Sequence, residues 1–345
     1  MGSNLHPVEQ NEIEQSNIDA LVEVTANDMR EVNSLILSRA DSHVEVVPKI
    51  ALHLIKAGGK RLRPMLTLVS ARLFGKETKN QIKYAAAVEF MHNATLLHDD
   101  VVDESDMRRG KPAARKIWGN QASVLVGDFL LGQAFMMMVE TGSMQALDTL
   151  SRAAAIIAEG EVLQLSKAKN LSTSDADYMQ IIGAKTATLF EAATRVGAMA
   201  GEASQEEQQA MATYGRELGL AFQLVDDVLD YGGARQNLGK NTGDDLREGK
   251  MTLPIILALA KTDEQERKII GNALGNSEEF GNSKASGETF AKVRDIINKY
   301  DGLEIATARA LQHAQNARDA IDRLPKSELG KILQQLTYYT VSRVR

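Results

Sequence analysis

Residues 145–168 read QALDTLSRAAAIIAEGEVLQLSKA, and the fold class follows from this stretch. Ala, Leu and Glu dominate it, Gly160 is its one glycine, and nothing in it alternates β-branched with polar residues as a strand would. It lies within an interval from Pro112 to Pro254 that holds no proline, although the chain has six. Proline removes a backbone donor and clashes inside a helix, so such an interval suits long helices. Working outward, helices are expected over 20–40, 43–57, 62–74, 79–104, 119–140, 145–168, 174–201, 205–230 and 251–262. The expected fold is all-α. Residues 1–20 read as a polar tail. No composition shift or short repeat marks a linker, so 21–345 reads as one helical domain. Stretches 231–250 and 271–287 read as loops, the second a Gly-, Asn- and Ser-rich surface insertion.

Composition narrows the function classes. Hydrophobic residues at 43% supply a sizeable core, and a formal net charge of -6 argues against a nucleic-acid partner. The absence of cysteine excludes disulfides and thiolate metal sites and is compatible with a reducing cytoplasm. No apolar run follows a basic start, so the expected location is cytoplasmic. The opening Met-Gly-Ser-Asn-Leu-His has His6 where a myristoylation signal needs Ser or Thr. The most membrane-like stretch, 122–139, carries Asp128 and Gln133, so a buried core helix is expected there rather than a bilayer span.

Two acidic clusters carry the chemistry. Leu96-Leu97-His98-Asp99-Asp100-Val101-Val102-Asp103 is matched further along by Phe222-Gln223-Leu224-Val225-Asp226-Asp227-Val228-Leu229-Asp230. On a helix the three aspartates of each cluster project from one side. Like charges within one turn repel, so a helix gains nothing from them alone, and a solvated acidic face would not need apolar residues at every intervening position. Two such copies point to an internal cavity with hard cations. Oxygen-only ligands favour Mg2+, which leaves coordination positions for phosphate oxygens.

Cations stand near both clusters. Ala57-Gly58-Gly59-Lys60-Arg61-Leu62-Arg63-Pro64 offers flexible backbone, three cations and a helix-starting proline. Arg108-Arg109-Gly110 follows the first cluster, and an arginine pair suits bidentate phosphate contacts. Gly239-Lys240-Asn241-Thr242 and Glu248-Gly249-Lys250-Met251 follow the second.

In this order the motifs resemble those of the trans-isoprenyl diphosphate synthase family, specifically its medium- to long-chain polyprenyl members. The resemblance covers roughly 45–260 and includes Lys185-Thr186. It implies an isoprenoid-synthase-type helical bundle around a central cavity. The implied reaction is Mg2+-dependent, head-to-tail condensation of isopentenyl diphosphate with an allylic diphosphate such as farnesyl diphosphate. By the resemblance, Asp99, Asp103 and Asp226 hold the metal ions that bridge the allylic diphosphate, with Asp100, Asp227 and Asp230 as indirect or water-mediated partners. Arg108, Lys185, Lys240 and Lys250 pair with the same diphosphate. Lys60, Arg63 and Arg109, beside Gly59, meet the metal-free isopentenyl diphosphate, and His92 touches it. Thr186 and Gln223 are expected near the reacting centre, and His98, off that helix face, reads as structural.

Positions one turn below Asp99, Ala94 and Thr95, are small. In this family bulky aromatics there stop the chain early, so the resemblance implies a long product of about eight to ten isoprene units, the class that supplies quinone side chains. Phe90, Met91 and the segment 135–138 are deeper candidates for a floor. The family also implies a homodimer, with no transmembrane segment and room for peripheral membrane contact. A class I terpene cyclase would lack the second Asp cluster and the Gly58–Pro64 segment. A non-catalytic subunit of a heteromeric synthase would lose one cluster. A helical metal-binding protein would leave the basic motifs without a purpose.

Overall fold

The computed structural model describes residues 7–75, 79–232, 243–275 and 283–344, with side chains from 18 onward outside 283–286. The helices are α1 (Pro7–Arg39), α2 (Val46–Lys56), α3 (Leu62–Leu73), α4 (Asn80–Val102), α5 (Ala114–Trp118), α6 (Asn120–Val139), α7 (Met144–Lys167), α8 (Asp175–Ile182), α9 (Thr188–Ala200), α10 (Gln205–Gly232), α11 (Asp244–Arg247), α12 (Leu253–Leu259), α13 (Glu264–Gly275), α14 (Ser283–Lys299), α15 (Gly302–Asp322) and α16 (Glu328–Ser342). Among the described residues the only strands are β1 (Met107–Arg108) and β2 (Lys111–Pro112), an antiparallel hairpin. The expected all-α class holds. Residues 7–20, read as tail, are helical, because their Glu- and Gln-rich composition suits a helix as well as it suits solvent. Parts of both expected loops are helical too: 231–232 and 244–247 in the first, 271–275 and 283–287 in the second. The remainder, 233–242 and 276–282, lies outside the described residues.

The chain divides into two compact units. The first comprises the described residues of Met1–Ala155, Leu189–Arg216 and Ala317–Tyr339. Its centre is α4, packed by α1, α3 and α6. Residues 84–91 of α4 are buried without interruption, Glu89 included, so this helix is apolar nearly all round, as a central helix must be. Phe90 and Leu97 are fully buried, each worth about 1.5–3 kcal/mol of apolar transfer.

The second unit comprises Ile156–Thr188, Glu217–Asn316 and Thr340–Arg345, less its undescribed residues. Tyr178, Leu224, Val225, Leu229, Tyr231, Leu246, Ile270, Val293 and Ile297 form its core. A capping box starts α8: Ser174 Oγ accepts from the Asp177 N–H at 3.1 Å, and the Ser174 N–H donates to Asp177 Oδ2 at 3.0 Å. These bonds, with Lys167 at 2.9 Å, hold the Asp177 carboxyl down at about 2. The chain from α8 to α9 then passes through a π-helical turn, Gly183–Ala187. Gly160 of α7 faces it so closely that a Cβ there would lie 2.6 Å from the Ala184 methyl.

The 122–139 stretch is a helix but is not wholly buried. By length and apolarity α6 is the one described helix that qualifies as a membrane span, and only 39% of its apolar window is buried. Leu125, Met136 and Val139 are exposed, and Ala122, Phe129 and Gly132 share their stripe at alternating spacings of three and four. Asp128 interrupts the outer surface but lies off that stripe.

Candidate active site

In the first unit the acidic cluster occupies the last turn of α4. Asp99 and Asp103 are half-buried, whereas Asp100 is 1% exposed. The β1–β2 hairpin explains the difference. Arg108 donates through Nε and Nη2 to Asp100 Oδ1, the Nε bond being 2.8 Å. Burial pushes the Asp100 carboxyl up, Arg108 opposes that, and Asp99 and Asp103 push in the same direction as burial. Asp100 Oδ2 is buried with no hydrogen-bond partner.

Arg109, at the hairpin tip with φ 52°, turns the other way. Its Nη1 donates to the Gly58 carbonyl. Gly59 has φ 129°, and a Cβ there would lie 2.7 Å from the Arg109 guanidinium carbon. The φ favours glycine, and any Cβ would displace the guanidinium tip. The same loop carries Lys60, which donates to the Tyr339 hydroxyl and lies 4.6 Å from that ring's centroid. Arg63 stacks on Phe190 at 4.3 Å and places Nη1 3.4 Å from His92 Nε2.

Beneath these cations sits Glu89, 3% exposed and 3.5 Å from Arg61 Nε. Burial raises its carboxyl, opposed by Arg61, Arg63 and Arg109. Desolvation followed by Arg63, Arg109, Arg108 and Arg61 holds the His92 ring well below its ordinary value of 6.5, so it is neutral. Desolvation also lowers Arg63 to about 10. Arg63 Nε and Arg61 Nη1 are buried donors without partners. Such donors are costly unless an acceptor arrives, and an anionic diphosphate would supply one. His98 lies apart, its Nε2 3.1 Å from the Val124 carbonyl and 3.4 Å from Asp128.

Below Asp99, Ala94 is 2% exposed and Thr95 half-buried, with the Thr95 hydroxyl donating to the His92 carbonyl at 2.9 Å. Phe90, Met91, Met137 and Met138 are buried, but Met136 is 52% exposed, so it cannot serve as a floor within this chain.

In the second unit the acidic cluster lies near the end of α10. Asp226 is half-buried, and Arg343 Nη2 stands 3.7 Å from its Oδ1. Asp227 is 3% exposed, and a protein donor meets each of its oxygens. Tyr178 OH donates to Oδ2 at 2.6 Å, and Gln223 Nε2 to Oδ1 at 2.8 Å. Burial, then Asp245, raises Asp227 well above the carboxylate range. Asp230 is fully buried and accepts from the Asp245 N–H at 3.1 Å. Gln223 Oε1 in turn accepts from Thr186 Oγ at 2.8 Å. Lys185, beside Thr186 on the π-helical turn, pairs with Glu161 at 2.8 Å, and Lys250 pairs with Glu248. π turns often mark functional sites. Lys240 lies outside the described residues.

Reasoning from sequence overlooked Glu89, Tyr178, Glu161 and Arg343. Two of them carry a signal in retrospect. Glu89 is a lone carboxylate in an apolar run three residues before His92, and Tyr178 is two helical turns before Lys185.

Among the described residues no three His, Cys, Asp or Glu side chains converge into a metal cage. Hard carboxylate donors, with one buried oxygen on Asp100 still unpartnered, nevertheless fit a divalent cation that shares its coordination with substrate phosphates.

The polyprenyl synthetase family model matches residues 44–289. The chain belongs to this family. It is 43% identical to the octaprenyl diphosphate synthase of Haemophilus influenzae, over 94% of this chain and 97% of that protein. A crystal structure of a polyprenyl synthase from Caulobacter crescentus, complexed with calcium and isoprenyl diphosphate, is 48% identical with a TM-score of 0.89, covering 95% of this chain and 98% of that one. A decaprenyl diphosphate synthase from Rhodobacter capsulatus is 46% identical with a TM-score of 0.88, over 95% and 99% of the two chains. As a polyprenyl synthetase the chain has the all-α isoprenoid synthase fold. Each unit carries one acidic cluster of the family pattern and its own set of cations.

Proposed function

We propose that this protein is a trans-polyprenyl diphosphate synthase that joins isopentenyl diphosphate head-to-tail to an allylic diphosphate and repeats the step to a long all-trans product. The observation that carries this reading is the pair of matched aspartate clusters. In each, the leading aspartate is left half-open while its neighbour is buried and pinned. Similarity to octaprenyl and decaprenyl synthases supports a product of about eight to ten units, of the size used in quinone side chains.

Asp99, Asp103 and Asp226 would hold divalent metal, Mg2+ in this reading, with Asp100, Asp227 and Asp230 supporting them through hydrogen bonds or water. The metal would supply Lewis-acid stabilisation of charge gathering on the departing pyrophosphate. Arg108, Lys185, Lys240 and Lys250 bind that diphosphate. Lys60, Arg63 and Arg109 bind isopentenyl diphosphate, and the unpartnered donors on Arg61 and Arg63 support an anion there. His92, neutral, touches the same substrate without adding charge. Thr186 and Gln223 stand by the allylic carbon. The apolar residues between the aspartates exclude water that would quench the cation. Ala94 and Thr95 leave room for the growing chain.

Residues 21–345 act together as one catalytic chain in this reading. The apolar α6 stripe of Ala122, Leu125, Phe129, Gly132, Met136 and Val139 supports a homodimer, since its three-four spacing suits helix pairing with a second copy. A cytoplasmic enzyme with peripheral membrane contact through its greasy product completes the picture.

The test is incubation of purified protein with Mg2+, labelled isopentenyl diphosphate and farnesyl diphosphate, followed by separation of the dephosphorylated products. One long-chain product, abolished by EDTA, is expected. No incorporation by folded protein with any allylic starter would overturn the reading and favour a non-catalytic subunit.

A further inference from the structure

Lys60 is an exposed cation that follows two glycines, and in the proposed function it binds isopentenyl diphosphate. Gly58 and Gly59 bring no side chain to steady it. Among the described residues its ammonium has one hydrogen-bond partner, the Tyr339 hydroxyl on α16, 279 residues further along the chain.

The helix fixes that phenol. Leu336 and Thr337, in the turn before it, are fully buried, and Thr337 Oγ1 accepts from Arg318 Nη1 at 2.8 Å. The neighbouring Tyr338 makes an ordinary surface contact: it is 53% exposed and its ring centroid lies 4.3 Å from the Arg318 guanidinium. Tyr339 differs in its partner. It is half-buried and turns its oxygen to a cation that the substrate also needs. An ammonium only donates, so the phenol oxygen accepts and two N–H groups of Lys60 stay available to diphosphate oxygens. Phenol and diphosphate can hold the ammonium together, and neither has to displace the other.

We infer that Tyr339 is a positioning residue for isopentenyl diphosphate: from α16 its hydroxyl holds the Lys60 ammonium in place before the substrate arrives. The inference rests on the proposed synthase function and deepens it. A lysine side chain loses more rotamer freedom than most when it is fixed. Holding it in the free protein moves that loss out of the binding step, so the gain is affinity for this one diphosphate. That diphosphate stays attached through the condensation, so turnover at saturation changes little.

The test removes one oxygen atom from the full-length protein, assayed with Mg2+, farnesyl diphosphate and isopentenyl diphosphate. Tyr339→Phe should raise KM for isopentenyl diphosphate about fivefold, the effect of ordering one long side chain during binding. Both kcat and KM for farnesyl diphosphate should stay within about twofold. Lys60→Met should raise the same KM by a larger factor. In that background, adding Tyr339→Phe should cost nothing more, because the ammonium it holds is already gone.

An unchanged KM for isopentenyl diphosphate in Tyr339→Phe would overturn the inference. So would a lowered one, which would make the phenol a competitor for Lys60. Fully multiplicative losses in the double variant would overturn it too, as would KM raised equally for both substrates with a fall in Tm, the mark of a packing residue. Failure of the underlying reading looks different: the folded wild-type protein would itself show no turnover.

Discussion

Arg63 Nη1 stands 3.4 Å from His92 Nε2, and a guanidinium can only donate, so the His92 nitrogen facing it carries no proton. Burial, and after it four nearby arginines, hold the ring neutral. A carboxylate, Glu89, is buried below the same arginines. The cationic face is thus assembled around one buried carboxyl group and a neutral ring, which limits its self-repulsion before any diphosphate binds.

This arrangement gives a pH dependence with a defined sign. Below about 6.5 the unfolded chain takes up a proton on His92 that the folded chain refuses, so His92 makes the fold less stable as pH falls through that value. In His92→Gln, which keeps an acceptor but cannot titrate, the drop in Tm between pH 7 and pH 5.5 should be smaller than in the wild type by thermal unfolding. Equal drops in the two proteins would show that the ring is not held neutral.

Gly59 lies against Arg109 at a φ only glycine adopts freely. Gly59→Ala should push the guanidinium away from the Gly58 carbonyl and cost about 1–3 kcal/mol of local strain. Kinetics with varied isopentenyl diphosphate should show KM for that substrate raised about tenfold, with KM for the allylic substrate little changed.

The half-open aspartates should matter more to turnover than to stability. Asp99→Asn and Asp226→Asn should each lower kcat at least about a hundredfold, with Tm little changed, because relief of like-charge repulsion offsets lost pairing such as that of Asp226 with Arg343. Asp100→Asn should behave differently: it weakens the acceptor for Arg108, so Tm should fall as well. A scanning calorimeter and a radiolabel incorporation assay together separate the two patterns.

Product length should respond at Thr95, which is half-buried and uses its hydroxyl within its own helix. Thr95→Phe should shorten the product while preserving the first condensation, read by chromatography of the dephosphorylated alcohols. Ala94→Phe should do the same but lose about 1–3 kcal/mol, because Ala94 is more closely packed than Thr95 and a ring there strains its neighbours.

Charges on the exposed stripe of α6 test the assembly. Leu125→Glu combined with Met136→Glu should convert the proposed dimer to a monomer in sedimentation experiments without unfolding it, since both side chains are more than half exposed in the single chain. A monomeric wild type would remove the proposed dimer.

The helices, the spacing of Asp99, Asp100 and Asp103 and of Asp226, Asp227 and Asp230, and the order of the basic motifs were all legible in the sequence. These depend on residue type and local periodicity, which a linear chain carries openly. The same reading went astray where local signals were balanced. Residues 7–20 are polar enough for a tail and helical enough for α1, and an apolar α6 gives no indication of which face stays outside.

What the tertiary structure alone decided is how the members of each cluster differ. By helical spacing the three aspartates are nearly equivalent. Asp100 is singled out by Arg108 on a hairpin, and Asp227 by Tyr178 from a helix 49 residues earlier in the chain. The neutrality of His92 and the raised carboxyl of Glu89 were likewise invisible, because both arise first from burial and then from arginines gathered from two separate segments. A carboxylate or imidazole takes its character from the dielectric and the charges within a few ångströms, and those neighbours are chosen by packing.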